Sequence, residues 1–183
     1  MFGYETWLDF LWYRPADPTR DWSISDQPLP VIRLNPFSIG NFRFGDPIAS
    51  AEFLGRPERC RRFRTFDNAM LLYGRRGMTV EFELGEFVEV VFHIGNGTYS
   101  APLPNTTFCR PRIEGGGELT DATTIDEFIR IMGEPQRIDR DDDDGEVILY
   151  YTTAAACMEA EFSPQGTLVA WTVMTNDEAG PAC

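Results

Sequence analysis

Two pairs of carboxylates have the residue type and the spacing that acid–base chemistry requires. Glu81 and Glu83 are two residues apart, as are Glu159 and Glu161. Paired carboxylates carry out glycoside hydrolysis when the distance between them suits the reaction. The same spacing arises in any strand with one polar face, because alternate side chains point the same way. Alternation alone accounts for both pairs, and we therefore predict no catalytic residue among them.

Two further residues could act as a base or as a nucleophile. His93 is the single histidine of the chain, which leaves no room for a histidine pair or a histidine-rich metal site. On an alternating strand it shares a face with Glu89 and Val91 and is expected to be half exposed. Cys60 is flanked by arginines, whose charge would lower the pKa of its thiol, but no general base accompanies it.

Motifs for metals and cofactors are missing from the sequence. The four cysteines are widely spaced without a Cys-x-x-Cys pair, so we expect free thiols and no zinc site. The run Asp141–Asp144 precedes Gly145, but an EF-hand loop with Gly145 at its sixth position would begin at Arg140 and end at Tyr151. There is no Walker loop and no G-x-G-x-x-G motif. We predict no metal and no cofactor.

Alternating hydrophobicity predicts the strands that position these side chains. Val80 and Phe82 alternate with Glu81 and Glu83, which gives one apolar and one polar face. Strands are expected at residues 66–73, 78–84, 87–94, 147–152, 156–162 and 168–175.

A short pattern recurs along the chain. Leu-Gly-Arg-Pro at residues 54–57 is matched by Met-Gly-Glu-Pro at 132–135, and Gly55 and Gly133 differ by 78 positions. Each segment ends a predicted helix, at 47–54 with Asp46 as N-cap and at 124–132 with Thr123 or Thr124 as N-cap.

These elements predict an α+β fold of two tandem copies, each a short helix packed on a three- to four-stranded antiparallel sheet. The copies span residues 40–97 and 117–178, with a tryptophan-bearing arm at 1–39, a linker at 98–116 and a tail at 179–183. No stretch approaches the roughly 18 apolar residues of a membrane span, and the N-terminus lacks the basic region of a secretory signal. We therefore expect a cytoplasmic protein with no membrane partner.

The order of a short helix, Leu/Met-Gly-x-Pro and a three-stranded meander resembles the repeat of the β-lactamase-inhibitor proteins, which the small outer-membrane-assembly lipoproteins share. The resemblance covers residues 40–97 and 117–176. It implies a concave sheet surface that grips another protein without chemistry of its own. It also suggests an inhibitor or a toxin-neutralising role, although the identity of a partner does not carry over with a fold.

The net charge of −13 is concentrated in the second copy. Residues 40–97 hold eight arginines and eight acids, whereas residues 117–178 hold three arginines and fifteen acids. An arginine-rich segment at 59–64 and an aspartate-rich segment at 139–144 occupy equivalent positions. Three explanations are open. The segments are two solvated loops, or they pair with each other within the chain or across a dimer. In the third explanation, the acidic segment binds a basic protein.

The leading hypothesis is a non-catalytic module that holds a protein partner through the outer sheet faces of both copies and the acidic loop; a basic partner is one form of this hypothesis. The large negative charge argues against nucleic acid. The predicted partner-binding residues are Glu81, Glu83, Glu89, His93, Asp141, Asp142, Asp143, Asp144, Glu159 and Glu161. A second hypothesis is a small-ligand-binding or enzymatic protein with a pocket between the copies, lined by Tyr73, Tyr151 and Trp171. A third is a structural homodimer held through the arginine-rich and aspartate-rich segments.

Overall fold

The computed structural model describes residues 17–63, 67–96, 107–141 and 145–176. Within them the chain is predominantly β, with thirteen strands in two sheets. The helical elements of this part are one α-helix, α1 (Ile125–Met132), and two 3₁₀ helices, η1 (Ile48–Leu54) and η2 (Gly74–Arg76). Among the helices of the described ranges, none has the length and hydropathy of a membrane-spanning segment.

The strands divide into a small and a large sheet. The small sheet contains β1 (Ile32–Leu34), β2 (Phe37–Ile39), β3 (Phe42–Arg43), β8 (Arg112–Ile113) and β9 (Gly117–Glu118). The large sheet contains β4 (Arg59–Phe63), β5 (Asn68–Tyr73), β6 (Met78–Glu83), β7 (Glu86–His93), β10 (Arg137–Arg140), β11 (Val147–Thr152), β12 (Ala156–Phe162) and β13 (Leu168–Thr175). Its order is β10-β11-β12-β13-β7-β6-β5-β4, and all its neighbours are antiparallel.

The expected α+β fold of two helix-on-sheet copies is wrong. Strand β7 pairs with β13, with Glu89 opposite Met174 and His93 opposite Ala170. The strands of the two predicted copies therefore form one continuous sheet. The first predicted helix is a 3₁₀ segment without a side-chain cap. Asp46, the expected cap, instead accepts a 2.8 Å hydrogen bond from the backbone N–H of Arg43.

The resemblance to tandem helix-plus-sheet units is wrong for the same reason, and the inhibitor role that it suggested loses its basis. The supposed arm and linker also contribute structure, because β1 from one pairs in parallel with β8 from the other. The second predicted helix does form: Thr124 caps α1 and forms a reciprocal capping box with Glu127.

The two faces of the large sheet have different surroundings. The inner face is apolar and packs against the small sheet, η1 and α1 in one core. Phe42 of β3 stacks on Phe87 at a centroid distance of 4.3 Å, and Phe128 of α1 contacts Trp171 at 6.5 Å. The opposite side of the sheet is called the outer face. It carries the polar residues of the alternating strands, among them Glu81 and Glu159.

Candidate functional site

The register of the strands brings the predicted glutamates onto the outer face. Glu81 of β6 lies opposite Glu89 of β7, which in turn lies opposite Met174 of β13. In the other half of the sheet, Glu161 lies opposite Ala170. All of the glutamates named by the sequence therefore share one surface, and the structure places each of them as partly exposed.

The surroundings of Glu81 disfavour its ionised form. Burial raises its pKa above the usual value, and the negative charge of Glu83 raises it further. Glu89 stands directly across the strand pair, where like charges are unfavourable. Glu81 has no ion-pair partner among the described residues, whereas Glu83 accepts a 3.4 Å hydrogen bond from Asn68. The free energy of the ionised form of Glu81 is thus raised by burial and by the charge of Glu83.

His93 lies on the same face as Glu89, as its position in the strand predicts. Its Nε2 atom is 3.5 Å from the hydroxyl of Thr79. Burial lowers the pKa of the imidazole, so His93 is neutral at physiological pH. It offers a hydrogen-bonding group to a partner and no positive charge to balance the glutamates.

The second half of the outer face combines carboxylates with a stacked arginine. Burial raises the pKa of Glu159 and of Glu161, and the charge of Glu159 adds to the effect on Glu161. The guanidinium carbon of Arg137 lies 3.8 Å from the ring centroid of Tyr150 and its Nη2 atom pairs with Asp139 at 3.1 Å. This half is therefore partly neutralised by Arg137, which also lowers the pKa of Glu159.

The arginine-rich and aspartate-rich segments lie at opposite edges of the large sheet. Most of the first is strand β4 and the beginning of the second is strand β10, and six strands separate them. Seven spacings of about 4.8 Å place the two edges roughly 34 Å apart. Strands β4 and β10 therefore do not pair with each other within one chain. Asp141 is exposed at the end of β10, and Asp142, Asp143 and Asp144 lie outside the described residues.

The three residues predicted to line a pocket between the copies do not share one. Tyr151 and Trp171 are both buried against Phe128 in the core, at 5.9 and 6.5 Å between ring centroids. Tyr73 is on β5, three strands away from Trp171 on β13. The hydroxyl groups of both tyrosines and the indole nitrogen of Trp171 are buried, and none of them has a hydrogen-bond partner among the described residues.

The three described cysteines offer no activated nucleophile. Burial, together with the nearby carboxylate of Asp17, raises the pKa of Cys60 to about 12, despite the opposing charge of Arg62. Burial likewise raises the pKa of Cys109 to about 12. Cys157 is disulfide-bonded, which corrects the expectation of free thiols throughout. In the part of the chain that the structure describes, no three His, Cys, Asp or Glu side chains are grouped to hold a metal ion.

Comparisons with known proteins add little to this geometry. No protein-family model matches the chain, and no curated protein matches it. A solved structure of a cysteine-rich secretory protein from Staphylococcus aureus subsp. aureus Mu50 aligns at 13% identity with a TM-score of 0.43. The alignment covers 82% of this chain and 52% of the other, so this chain spans about half of that structure's length. A TM-score below 0.5 carries no weight for fold or function.

The outer face also holds residues that were not singled out from the sequence. Between the carboxylates lie partly exposed apolar side chains, namely Met70, Val91, Ile148 and Met174. Tyr150 belongs to the same surface and stacks on Arg137. The alternation that placed the glutamates could have found them, since they occupy the same parity of position in their strands. The face is therefore mixed apolar and acidic, not simply a solvated polar surface.

Proposed function

We propose that the protein is a non-catalytic binding module that holds a basic protein partner on the outer face of its large sheet. The observation that carries the proposal is the strand register, which gathers Glu81, Glu89, Glu159 and Glu161 on one face beside apolar side chains. A surface of this kind offers a partner both buried apolar area and charge complementarity.

The raised pKa values of Glu81, Glu159 and Glu161 support a cationic partner. Each of these carboxylates is partly removed from water, and such burial costs free energy unless an opposite charge compensates it. Lysine or arginine side chains from a partner would supply that charge and return the pKa values toward normal. Binding would then release protons at mildly acidic pH, and affinity would fall as the pH is lowered through the raised pKa values.

The side chains of the outer face and the free thiols are not arranged for catalysis. His93 is neutral with the hydroxyl of Thr79 as its neighbour, and neither free thiol is activated. Glu81 and Glu83 lie on one strand in the same orientation, as do Glu159 and Glu161. Carboxylates that act in glycoside hydrolysis instead flank the bond that they cleave.

The test is a capture experiment with three immobilised forms of the chain and lysate of the source organism. The first form is the wild type, and the second is the face variant, which replaces Glu81, Glu83, Glu159 and Glu161 with glutamine. The third is a matched control in which four exposed carboxylates away from the face are replaced with the corresponding amides: Asp21, Glu52, Asp126 and Glu134. The face variant and the control differ from the wild type by the same net charge.

A basic protein retained by the wild type and by the control, but lost with the face variant, is the expected result. Its affinity for the wild type, measured with the purified pair, should fall with rising salt and with falling pH. Retention of the same proteins by all three forms would contradict the proposal, as would the absence of any protein specific to the wild type.

A further inference from the structure

A cleft of about 680 Å³ lies at the end of β5, away from the outer-face glutamates. Three parts of the chain that are distant in sequence form its walls: residues 24–29, the η2 turn, and residues 107–112. Tyr73, the last residue of β5, also lines it. Its volume is in the range of sites that enclose small organic molecules.

Backbone contacts hold the walls of the cleft in place. Arg76 donates a 2.6 Å hydrogen bond to the carbonyl of Ser25, which fastens one wall to η2. On the other side, the N–H of Thr107 donates to the carbonyl of Gly74 at 2.8 Å, and that of Cys109 donates to His93 at 2.7 Å. Gly77 has φ +60°, and a Cβ there would collide with backbone atoms of Thr107 and Cys109. These contacts join two walls of the cleft to the η2 turn.

The lining of the cleft is rich in arginine although the chain as a whole is strongly acidic. Five of the sixteen arginines line it: Arg56, Arg75, Arg76, Arg110 and Arg112. Four carboxylates also line it, those of Asp26, Glu58, Glu118 and Asp121. Arg75 pairs with Glu58 at 3.4 Å. No ion pair is formed by Arg110 or Arg112 within the described ranges, and both side chains are exposed.

The chemistry of these side chains defines a class of ligand. A guanidinium group presents a planar fork of donors that matches a carboxylate or a phosphate. Phe108, Leu29 and Ile94 add an apolar part to the lining, which suits an organic body. The nearby carboxylates limit the positive charge to a small excess, so the site suits one compact anionic group and disfavours a polyanion.

We propose that this cleft binds a small organic anion, with its carboxylate or phosphate held by Arg76, Arg110 and Arg112 and its apolar body against Phe108. None of the outer-face glutamates takes part, so this site and the proposed protein-binding surface are separate. The arginine side chains of the η2 turn and of the 107–112 wall converge on the cleft only because the backbone contacts of Gly74 and Gly77 join those two segments.

Isothermal titration calorimetry on the full chain tests the proposal with three probes of similar shape: benzoate, phenyl phosphate and neutral benzamide. We expect at least one of the two anions to bind at least tenfold more tightly than benzamide, and the tighter one identifies the anionic group. The double variant Arg110→Gln/Arg112→Gln should weaken that anion at least tenfold. The double variant Arg20→Gln/Arg130→Gln removes the same charge from exposed positions outside the cleft and should leave its affinity unchanged.

Three results would overturn the proposal. The first is the absence of detectable binding heat for either anion at concentrations of about 10 mM. The second is equal affinity for benzamide and for the anions. The third is equal loss of affinity in both double variants, which would indicate general electrostatic attraction and not a site. Thermal unfolding of each variant verifies that the fold is intact; the replaced arginines are all exposed.

Discussion

Replacing Glu81 with glutamine should stabilise the protein, although it removes a charged residue from a partly exposed surface. Burial raises the free energy of the ionised Glu81 carboxylate, the charge of Glu83 raises it further, and Glu89 lies opposite Glu81 in the strand register. Two unit charges about 5 Å apart repel by roughly 0.8 kcal/mol in the dielectric of bulk water. Directly opposed like charges on neighbouring strands cost a comparable amount, about 0.2–1 kcal/mol.

We therefore expect Glu81→Gln to raise the free energy of unfolding by about 1 kcal/mol at pH 7, which corresponds to a rise of about 2–4 °C in Tm for a chain of this size. Urea denaturation followed by circular dichroism measures the first quantity and calorimetry the second. Glu52→Gln, at an exposed position on η1, is the matched control and should change neither.

The pH dependence gives a sharper check than the magnitude. The pKa of Glu81 in the folded state is raised above its ordinary value of 4.5, so protonation favours the folded state. The stability deficit of the wild type relative to Glu81→Gln is fully present above the folded-state pKa. It disappears as the pH falls through that pKa toward 4.5. A gap that stays constant between pH 7 and pH 4, or a variant less stable than the wild type at pH 7, would refute the reasoning.

Four other predictions concern single sites. Tyr73→Phe removes a buried hydroxyl that has no partner within the described ranges, so urea denaturation should show unchanged or slightly higher stability, and a loss above about 1 kcal/mol would reveal a further hydrogen bond. Gly77→Ala combines a left-handed backbone with a collision at Thr107, and should lower the free energy of unfolding by about 2 kcal/mol or more. Thr124→Ala deletes the capping box of α1 and should cost about 1 kcal/mol in the same assay. The raised pKa of Cys60 predicts alkylation by iodoacetamide at pH 8 roughly 100-fold slower than for free cysteine; comparable rates would contradict its burial.

Hydrophobic alternation was sufficient to find most of the large sheet. The strands expected at 147–152, 156–162 and 168–175 coincide with β11, β12 and β13. Alternation works there because each of these strands has one face in the core. It fails for β4 and β10, which are edge strands rich in charge. Charged residues at sheet edges oppose unwanted pairing with other chains, and they also remove the pattern that identifies a strand.

The way the strands assemble had no local signal. Nothing in the sequence of β7 or β13 indicates that they pair with each other, since they are separated by more than seventy residues. Without that pairing, two short meanders looked like two separate sheets. The helix expected at 47–54 failed for a local reason, because the side chain that should have capped it accepts a hydrogen bond from Arg43 instead.

The two candidate sites also differ in how far the sequence predicts them. The outer face follows from alternation within single strands, so its glutamates could be identified from the sequence. The cleft depends on contacts between residues 24–29, η2 and 107–112, which lie far apart along the chain. Residues 24–29 fall in the predicted arm and residues 107–112 in the predicted linker, so Arg110 and Arg112 had no functional interpretation from the sequence.

The position of the charged edges also bears on the homodimer hypothesis. A contact between β4 of one copy and β10 of another leaves a free edge on each copy, so repetition of that contact gives an open chain of molecules and not a closed pair. Closure by a twofold axis would require two large sheets to stack so that both edges meet at once.

If the outer faces stack, the carboxylates of Glu81 and Glu159 are brought against those of the second copy, where their burial is already unfavourable. If the inner faces stack, the core against the small sheet and α1 must open. The charges that suggest pairing of the edges therefore do not by themselves favour a dimer, and the same outer-face carboxylates that oppose self-association favour a basic partner.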